Sequence, residues 1–304
     1  MNKILVIGSS NTDMVVKTQH FPAPGETVLG GTFYMFPGGK GANQAVAAAR
    51  AGGEVTFITK TGHDLFGQTA KQGLQAEGVD TNYVFSTSDY ASGIALITVD
   101  EHGENEIVVA PGANQVLDRV DLDVAEEAFK RSTFLLMQLE ISLDTVGYAL
   151  QKGRQYGLTI ILNPAPATTI PLDWYPYLDL ITPNETEAEL LTGIKVYDLD
   201  SAAQACRVLL HRGVKQVIIT MGARGAFYCS AHMQYLVPAI SVTPIDTTAA
   251  GDVFNGALTV GLAEGLDWLE AIHWANVAAA ISVTRLGAQA SGPTRQEIDF
   301  LASK

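Results

Sequence analysis

Six short runs of this sequence are mainly apolar, without sustained alternation of polar residues: residues 3–8, 55–59, 134–139, 159–162, 178–181 and 216–220. A strand wetted on one face alternates apolar and polar side chains, so a run without alternation predicts a strand buried on both faces. Between the runs lie stretches that predict helices, at about 41–51, 67–77, 143–156, 185–192 and 201–212, with a further helix of small and apolar residues at 253–263. Strand, polar tip and helix in repeated succession predict a three-layer, doubly wound α/β fold on a mostly parallel sheet. Two stretches break the pattern. Residues 27–36 carry Gly30-Gly31 between β-prone residues, and 92–110 read as two strands about a turn at Asp100-Glu101-His102-Gly103. Both predict hairpins, which do not fit a parallel sheet. They are expected to form a small antiparallel β-sheet, a lid built from segments of about 11–36 and 90–112. No repeat, linker or low-complexity segment interrupts the chain, so one domain over 1–304 is expected.

In an open parallel sheet, ligands bind outside the carboxyl ends of the strands. The polar tips there are Asn11 and Asp13, Glu140, Asn163, Asn184, and Thr220 with Gly222. Planar amide and carboxylate groups grip polyhydroxylated ligands well, and the set points to a small sugar-like ligand. Any one of them could equally be a loop or cap residue.

The formal net charge of −13 argues against nucleic acid, whose phosphates are held by clustered Lys and Arg. An anionic small molecule stays possible, because backbone amides at a helix N-terminus bind phosphate even in an acidic protein. No apolar run is long enough to cross a bilayer. The N-terminal run reads as a buried strand rather than a leader, with Asp13 interrupting any apolar core of a signal. Cys206 and Cys229 have no metal-type spacing and read as reduced, buried thiols, and a cytoplasmic address is expected. None of the six His stands in a metal-binding spacing.

Four segments could carry chemistry. Gly38-Gly39-Lys40-Gly41-Ala42-Asn43 opens a helix, with Lys40 and Asn43 one turn apart on one face. It is not a Walker A loop, since Gly41 stands where Ser or Thr would follow the Lys. Asp246-Thr247-Thr248-Ala249-Ala250-Gly251-Asp252 precedes another helix. Ala249, Ala250 and Gly251 would present bare amides at its N-terminus, an anion hole for a transferring phosphoryl group. Asp252 beside that hole could accept the proton of an attacking hydroxyl. The plainer alternative is an acidic first-turn residue facing the helix dipole. In Asn184-Glu185-Thr186-Glu187, Asn184 and Glu187 could serve phosphate and hydrated Mg²⁺, or form a capping box, or both. Thr220-Met221-Gly222-Ala223-Arg224-Gly225 is a plausible nucleotide loop.

Together these segments resemble the ribokinase family of carbohydrate kinases, also called the PfkB family, over nearly the whole chain. The most specific pieces are residues 38–45, Asn163-Pro164-Ala165-Pro166, 183–187 and 246–252, in the family's order and spacing. The resemblance implies an ATP-dependent kinase that transfers the γ-phosphate to the 5-hydroxyl of D-ribose. It implies that Asn11, Asp13, Gly39, Lys40, Asn43 and Glu140 hold the sugar and that Asp252 is the base, beside the amides of Ala249, Ala250 and Gly251. Asn184, Thr220, Gly222, Gly225, Gly251 and Asn276 would contact ATP, and Glu187 would act on Mg²⁺ through water. Asp246, Thr248, Ser282, Arg285, Gly287 and Ser291 match positions of a K⁺ site. The family's small sheet closes the sugar pocket and often pairs two subunits, so a homodimer is expected. One departure is Ala249, where the wider family usually carries Gly.

Other readings remain at this point. A kinase of the same family for 2-deoxyribose, a hexose or a nucleoside is the nearest, with Asn11 as the discriminating residue. A non-catalytic sugar sensor would have no use for a base beside an anion hole. A dinucleotide-dependent dehydrogenase would need G-x-G-x-x-G after the first strand, which here ends Gly8-Ser9-Ser10.

Overall fold

The structure, a computed structural model, describes residues 2–303. Thirteen strands and ten α-helices alternate among the described residues. The strands are β1 Lys3–Ile7, β2 Asn11–Lys17, β3 Thr32–Gly38, β4 Glu54–Gly62, β5 Asp80–Thr87, β6 Gly93–Val99, β7 Asn105–Ala110, β8 Phe134–Met137, β9 Thr159–Leu162, β10 Leu180–Ile181, β11 Gln216–Thr220, β12 Ala226–Ser230 and β13 Gln234–Val237. The helices are α1 Lys40–Arg50, α2 Leu65–Ala76, α3 Arg119–Val124, α4 Glu126–Arg131, α5 Leu143–Gln155, α6 Glu185–Thr192, α7 Leu199–His211, α8 Ala250–Glu264, α9 Trp268–Ser282 and α10 Arg295–Ala302.

The large sheet has the order β13-β12-β11-β10-β9-β8-β1-β4-β5. Every neighbouring pair is parallel except β11–β12 and β12–β13, which close one edge as antiparallel hairpins. Alternate residues of β1 enter different cores: Leu5 and Ile7 face the layer of α3 to α7, Ile4 and Val6 the layer of α1, α2 and α8 to α10. All four are fully buried, which is why the run shows no alternation. Burying each such side chain is worth about 1.5–3 kcal/mol. From β1 the chain builds outward through β4 and β5, then restarts on the other side at β8. The switch between β1 and β8 opens a crevice at their carboxyl ends, where a ligand is expected.

The small sheet has the order β3-β2-β6-β7. β6–β7 is the hairpin expected around Asp100 to Gly103. The other expected hairpin is different: residues 27–31 form no strand, and β3 pairs antiparallel with β2 across the long connection 18–31. Gly30 and Gly31, both at positive φ, lie in that connection rather than at a tight turn. The middle pair, β2–β6, runs parallel, so the sheet is mixed rather than purely antiparallel. Asn11 and Asp13 accordingly start a strand of this sheet instead of capping β1. No helix among the described residues is long and apolar enough to cross a membrane. Cys206 and Cys229 are free and buried.

Candidate active site

The residues following β8, β9 and β10, namely Gln138, Asn163 and Thr182, form a buried polar row at the sheet's carboxyl edge. Above it stand the N-terminal turns of α1 and α8. Asp252 occupies the first turn of α8 and is only 5% exposed. Its Oδ2 accepts from Asn43 Nδ2 at 3.0 Å and its Oδ1 from Gln44 Nε2 at 2.9 Å, both donors on α1. Burial pushes the Asp252 carboxyl above its ordinary value, against the pull of the Lys40 ammonium and these two donors. Asn255 ties the same turn to β10: its Nδ2 donates to Gly251 O at 2.8 Å, and Thr182 Oγ1 donates to its Oδ1 at 2.6 Å.

The first-turn amides of α8 lack i−4 partners by geometry, and the helix dipole adds to them. Ala249 caps this helix at φ 59°, the one non-glycine residue at positive φ among those described. An L-residue pays roughly 1–2 kcal/mol for that conformation, which accounts for the wider family's Gly. At the expected anion hole the backbone is therefore bent into a shape that sequence alone did not reveal.

A cleft of about 550 Å³ runs across the ends of α8 and α9. All six residues expected to contact ATP line it: Asn184, Thr220, Gly222, Gly225, Gly251 and Asn276. Asn184 forms an isolated parallel bridge with Thr220, which brings two strand tips to one wall. Asn276 donates through Nδ2 to Val237 O at 3.0 Å and Pro238 O at 3.2 Å, leaving Oδ1 as its remaining polar atom. Ile240, Val242, Phe254 and Val283 supply an apolar side that sequence reasoning missed. Glu187 lines the cleft and closes a capping box with Asn184, accepting from Asn184 N–H at 2.9 Å and donating its own N–H to Asn184 Oδ1 at 2.8 Å. Burial raises its carboxyl pKa.

Of the residues expected on the sugar, only Lys40 and Asp252 reach this cleft. The rest gather beside it, under the small sheet. Glu140 Oε2 accepts from Ser9 Oγ at 2.5 Å and from Lys40 N–H at 2.9 Å. Asp13 is pushed up to about 6, chiefly by burial and then by the charges of Glu140 and Asp252, with Lys40 opposing. On β3, where Phe36 pairs with Asp13 and Gly38 with Asn11, a Cβ at Gly38 would collide with the Asp13 carboxylate, so only glycine leaves it room. Asn11 Oδ1 accepts from Asn114 Nδ2 at 2.7 Å, and Asn114 Oδ1 accepts from Ser10 N–H at 2.9 Å. That leaves Asn11 Nδ2 to act as a donor. Asn43 spends its Nδ2 on Asp252, while its Oδ1 is buried with no partner. Gly39, at φ 87°, caps α1 and leads Lys40 into the helix. The Lys40 proton is held more tightly than usual, first by Asp252 and then by Glu140, Glu187 and Asp13.

The six residues matched to a cation site are brought to adjoining loops. Asp246 Oδ1 accepts from Thr248 N–H and its Oδ2 from Gly287 N–H, each at 2.9 Å, so one carboxylate bridges both loops. Burial raises its pKa, but these donors outweigh it and the net shift is downward. The Ser282 and Ser291 hydroxyls turn to their own backbone, toward Ala279 O and Ala288 O. The Arg285 side chain points away, paired with Glu297. Among the missed residues, Gln138 carried a signal, a polar residue inside the apolar run 134–139; Asn114, Ser9 and Asn255 carried none beyond being polar.

A profile described as pfkB family carbohydrate kinase matches residues 1–295. A ribokinase of Haemophilus influenzae is 45% identical over 303 residues, 99% of each chain. A deoxyribokinase of Salmonella typhi is 37% identical over 297 residues, 97% of each chain. The structure of Arabidopsis thaliana ribokinase complexed with ribose and ATP is similar at a TM-score of 0.95 and 29% identity, covering 100% of this chain and 99% of that one.

Proposed function

The chain belongs to the pfkB family of carbohydrate kinases, and from that premise we propose that it is a ribokinase, transferring the γ-phosphoryl group of ATP to the 5-hydroxyl of D-ribose. The observation that carries this reading is Asp252: a buried carboxylate at the N-terminal turn of α8, standing where the long cleft meets the pocket of Asn11, Asp13, Lys40 and Glu140. ATP would lie along the cleft with its base against the apolar side and its phosphates toward α8. The sugar would lie under the small sheet, its hydroxyls held by Asn11 Nδ2, the carboxylates of Asp13 and Glu140, and the free Asn43 Oδ1, with Lys40 and Gly39 at its edge. Asp252 accepts the proton of the 5-hydroxyl as that oxygen bonds to the γ-phosphorus and the bond from phosphorus to the ADP oxygen breaks. The amides of Ala249, Ala250, Gly251 and Asp252 would face the charge that develops on the transferring group, with Ala250 N–H giving up its 3.3 Å bond to Thr247 O to do so. One Glu187 oxygen is free of the capping box, which fits a hydrated Mg²⁺ on ATP held through water; the ion would offset phosphate charge. The segments 11–38 and 93–110 would act as a lid over a single kinase domain, excluding water that competes for the phosphoryl group. Phe33, Met35, Leu96, Ile107, Val108 and Val109 are exposed on this sheet, an apolar surface that a second copy would cover, and this supports a homodimer. Two free buried thiols support a cytoplasmic setting.

The similarity to a deoxyribokinase makes the 2-position the place to test. With MgATP, D-ribose is expected to yield the 5-phosphate with a higher kcat/KM than 2-deoxyribose. Asn11→Ala should penalise ribose more than 2-deoxyribose by about 1–3 kcal/mol in transition-state binding, the usual cost of an unpaired buried polar group. Preference for 2-deoxyribose, or equal losses for the two sugars, would contradict the assignment of Asn11 to the 2-hydroxyl. No ADP release with ribose would remove ribose as the substrate.

K⁺ is proposed as an activator. A large, weakly hydrated cation between the loops 246–248 and 282–291 would accept the remaining lone pairs of Asp246 and backbone carbonyls, steadying the turn that ends in Ala249. Turnover should be higher in K⁺ than in tetramethylammonium at constant ionic strength, and Asp246→Ala should remove the difference. Equal rates in the two salts would eliminate the cation site.

A further inference from the structure

Gln44 and Gln138 have no role in the chemistry above, yet both side chains are fully buried at its centre. Gln44, on α1, donates through Nε2 to Asp252 Oδ1 at 2.9 Å and to Asn163 Oδ1 at 3.0 Å. Gln138, one residue past β8, donates through Nε2 to Gln44 Oε1. Asn163 is itself anchored, donating through Nδ2 to Thr182 O at 3.0 Å. Gln138 Oε1, by contrast, is buried with no partner, an arrangement that burial penalises.

With Asp252 ionised, as its role as base requires, the polarity of this chain has one solution. An ionised carboxylate only accepts, so Gln44 must turn its amide nitrogen toward Asp252. Its oxygen then faces Gln138, which must answer with nitrogen. The Gln138 oxygen is thereby forced toward Gly8, where only a missing side chain makes room, since a Gly8 Cβ would collide with it. An orphaned oxygen is tolerated at one end so that a donor reaches Asp252 at the other.

We infer that Gln44, locked in orientation by Gln138, is a positioning residue that holds Asp252 in one rotamer and keeps it ionised for proton abstraction. The inference deepens the assignment of Asp252 as base and rests on it. Other charges also face Asp252: Lys40 at the start of α1 favours its ionised form, while Glu140 after β8, Glu187 on α6 and Asp13 on β2 oppose it. Gln44 and Asn43 are the neutral donors in that balance.

The test is the pH dependence of kcat with ribose in wild type, Gln44→Met, Gln138→Met, the double variant and Asp252→Asn. Losing one donor to a buried carboxylate should lower kcat about 10- to 100-fold in Gln44→Met with ribose KM little changed. Because the base works ionised, its loss of a donor raises its pKa, and the acid limb should move up by roughly one to two pH units. Gln138→Met should shift the limb the same way by less, and should add nothing in the Gln44→Met background. An unmoved acid limb in folded Gln44→Met overturns the inference, and additive effects of the two changes overturn the part played by Gln138. Should Gln44→Met not fold, Gln44→Leu removes the donor with a differently shaped apolar side chain and no new charge, and an unmoved limb there is equally fatal. Near-wild-type turnover of Asp252→Asn would instead sink the base assignment itself; lost turnover there with an unmoved limb in the glutamine variants sinks the positioning role alone.

Discussion

Asp252→Asn is expected to lower kcat with ribose by roughly 10²–10⁴, the range that positioned acid–base catalysis contributes. The substitution keeps the shape of the side chain and removes its capacity to take a proton. It also has a local cost. Asn43 and Gln44 both present N–H groups to this carboxylate, so an amide can satisfy one of them and must set its own NH₂ against the other. Removing an acceptor from a buried donor costs about 1–3 kcal/mol, and the melting temperature should fall accordingly. Sugar binding should survive, because Asn11, Asp13 and Glu140 are held by Asn114, by the space over Gly38 and by Ser9 and Lys40 N–H. Calorimetric titration of ribose alongside steady-state kinetics separates the two effects. Turnover close to wild type would leave Asp252 as a helix-terminal acid with no part in proton transfer.

Lys40→Met is expected to be nearly as damaging. Its ammonium lies within electrostatic reach of Asp13, Glu140, Glu187 and Asp252, and forms a close ion pair with none of them among the described residues. It is therefore free to meet incoming phosphate while balancing four carboxylates. Removing one preorganised electrostatic contact to a developing charge typically costs about 10²–10³ in kcat. A second signature follows from Asp13, whose pKa of about 6 is already pulled down by Lys40. A raised folded-state pKa means that Asp13 takes its proton as pH falls through about 6, and with it loses an acceptor for sugar hydroxyls. Ribose KM should thus rise below that pH in the wild type. Without Lys40 the carboxyl should titrate higher, and the rise in KM should begin nearer neutrality. A KM profile that stays in place would show that the Lys40 charge does not reach Asp13.

Much of the fold could be read because the large sheet declares itself locally. Runs such as 159–162 and 216–220 coincide with β9 and β11, since burial on both faces leaves a mark within five residues. The capping box of Asn184 and Glu187 is equally local, three residues from donor to acceptor. Helix α9 left no periodic mark, as its flanks are apolar and alanine-rich and it is buried nearly all round. The pairing of β3 with β2 rather than with a neighbour across Gly30-Gly31 was also illegible, because register depends on which partner strand is within reach.

The residue types and spacings of 38–45 and 246–252 determined by themselves that each segment opens a helix, with an amide-rich N-terminus at the second and a carboxylate in its first turn. They could not say that the two helices meet. Asp252 and Gln44 are 208 positions apart, and Ser10 and Asn114 are 104, so no local pattern carries either contact. Which way a buried amide points is likewise a property of its neighbours: Asn11 presents nitrogen because Asn114 occupies its oxygen, and Asn276 presents oxygen because the 237–238 backbone occupies its nitrogen. Ala249 at positive φ belongs to the same class, an ordinary residue held in a costly conformation by packing around it. Sequence dictates which groups can donate, accept or ionise; only the tertiary structure, by spending some of those capacities internally, decides which are left for a ligand.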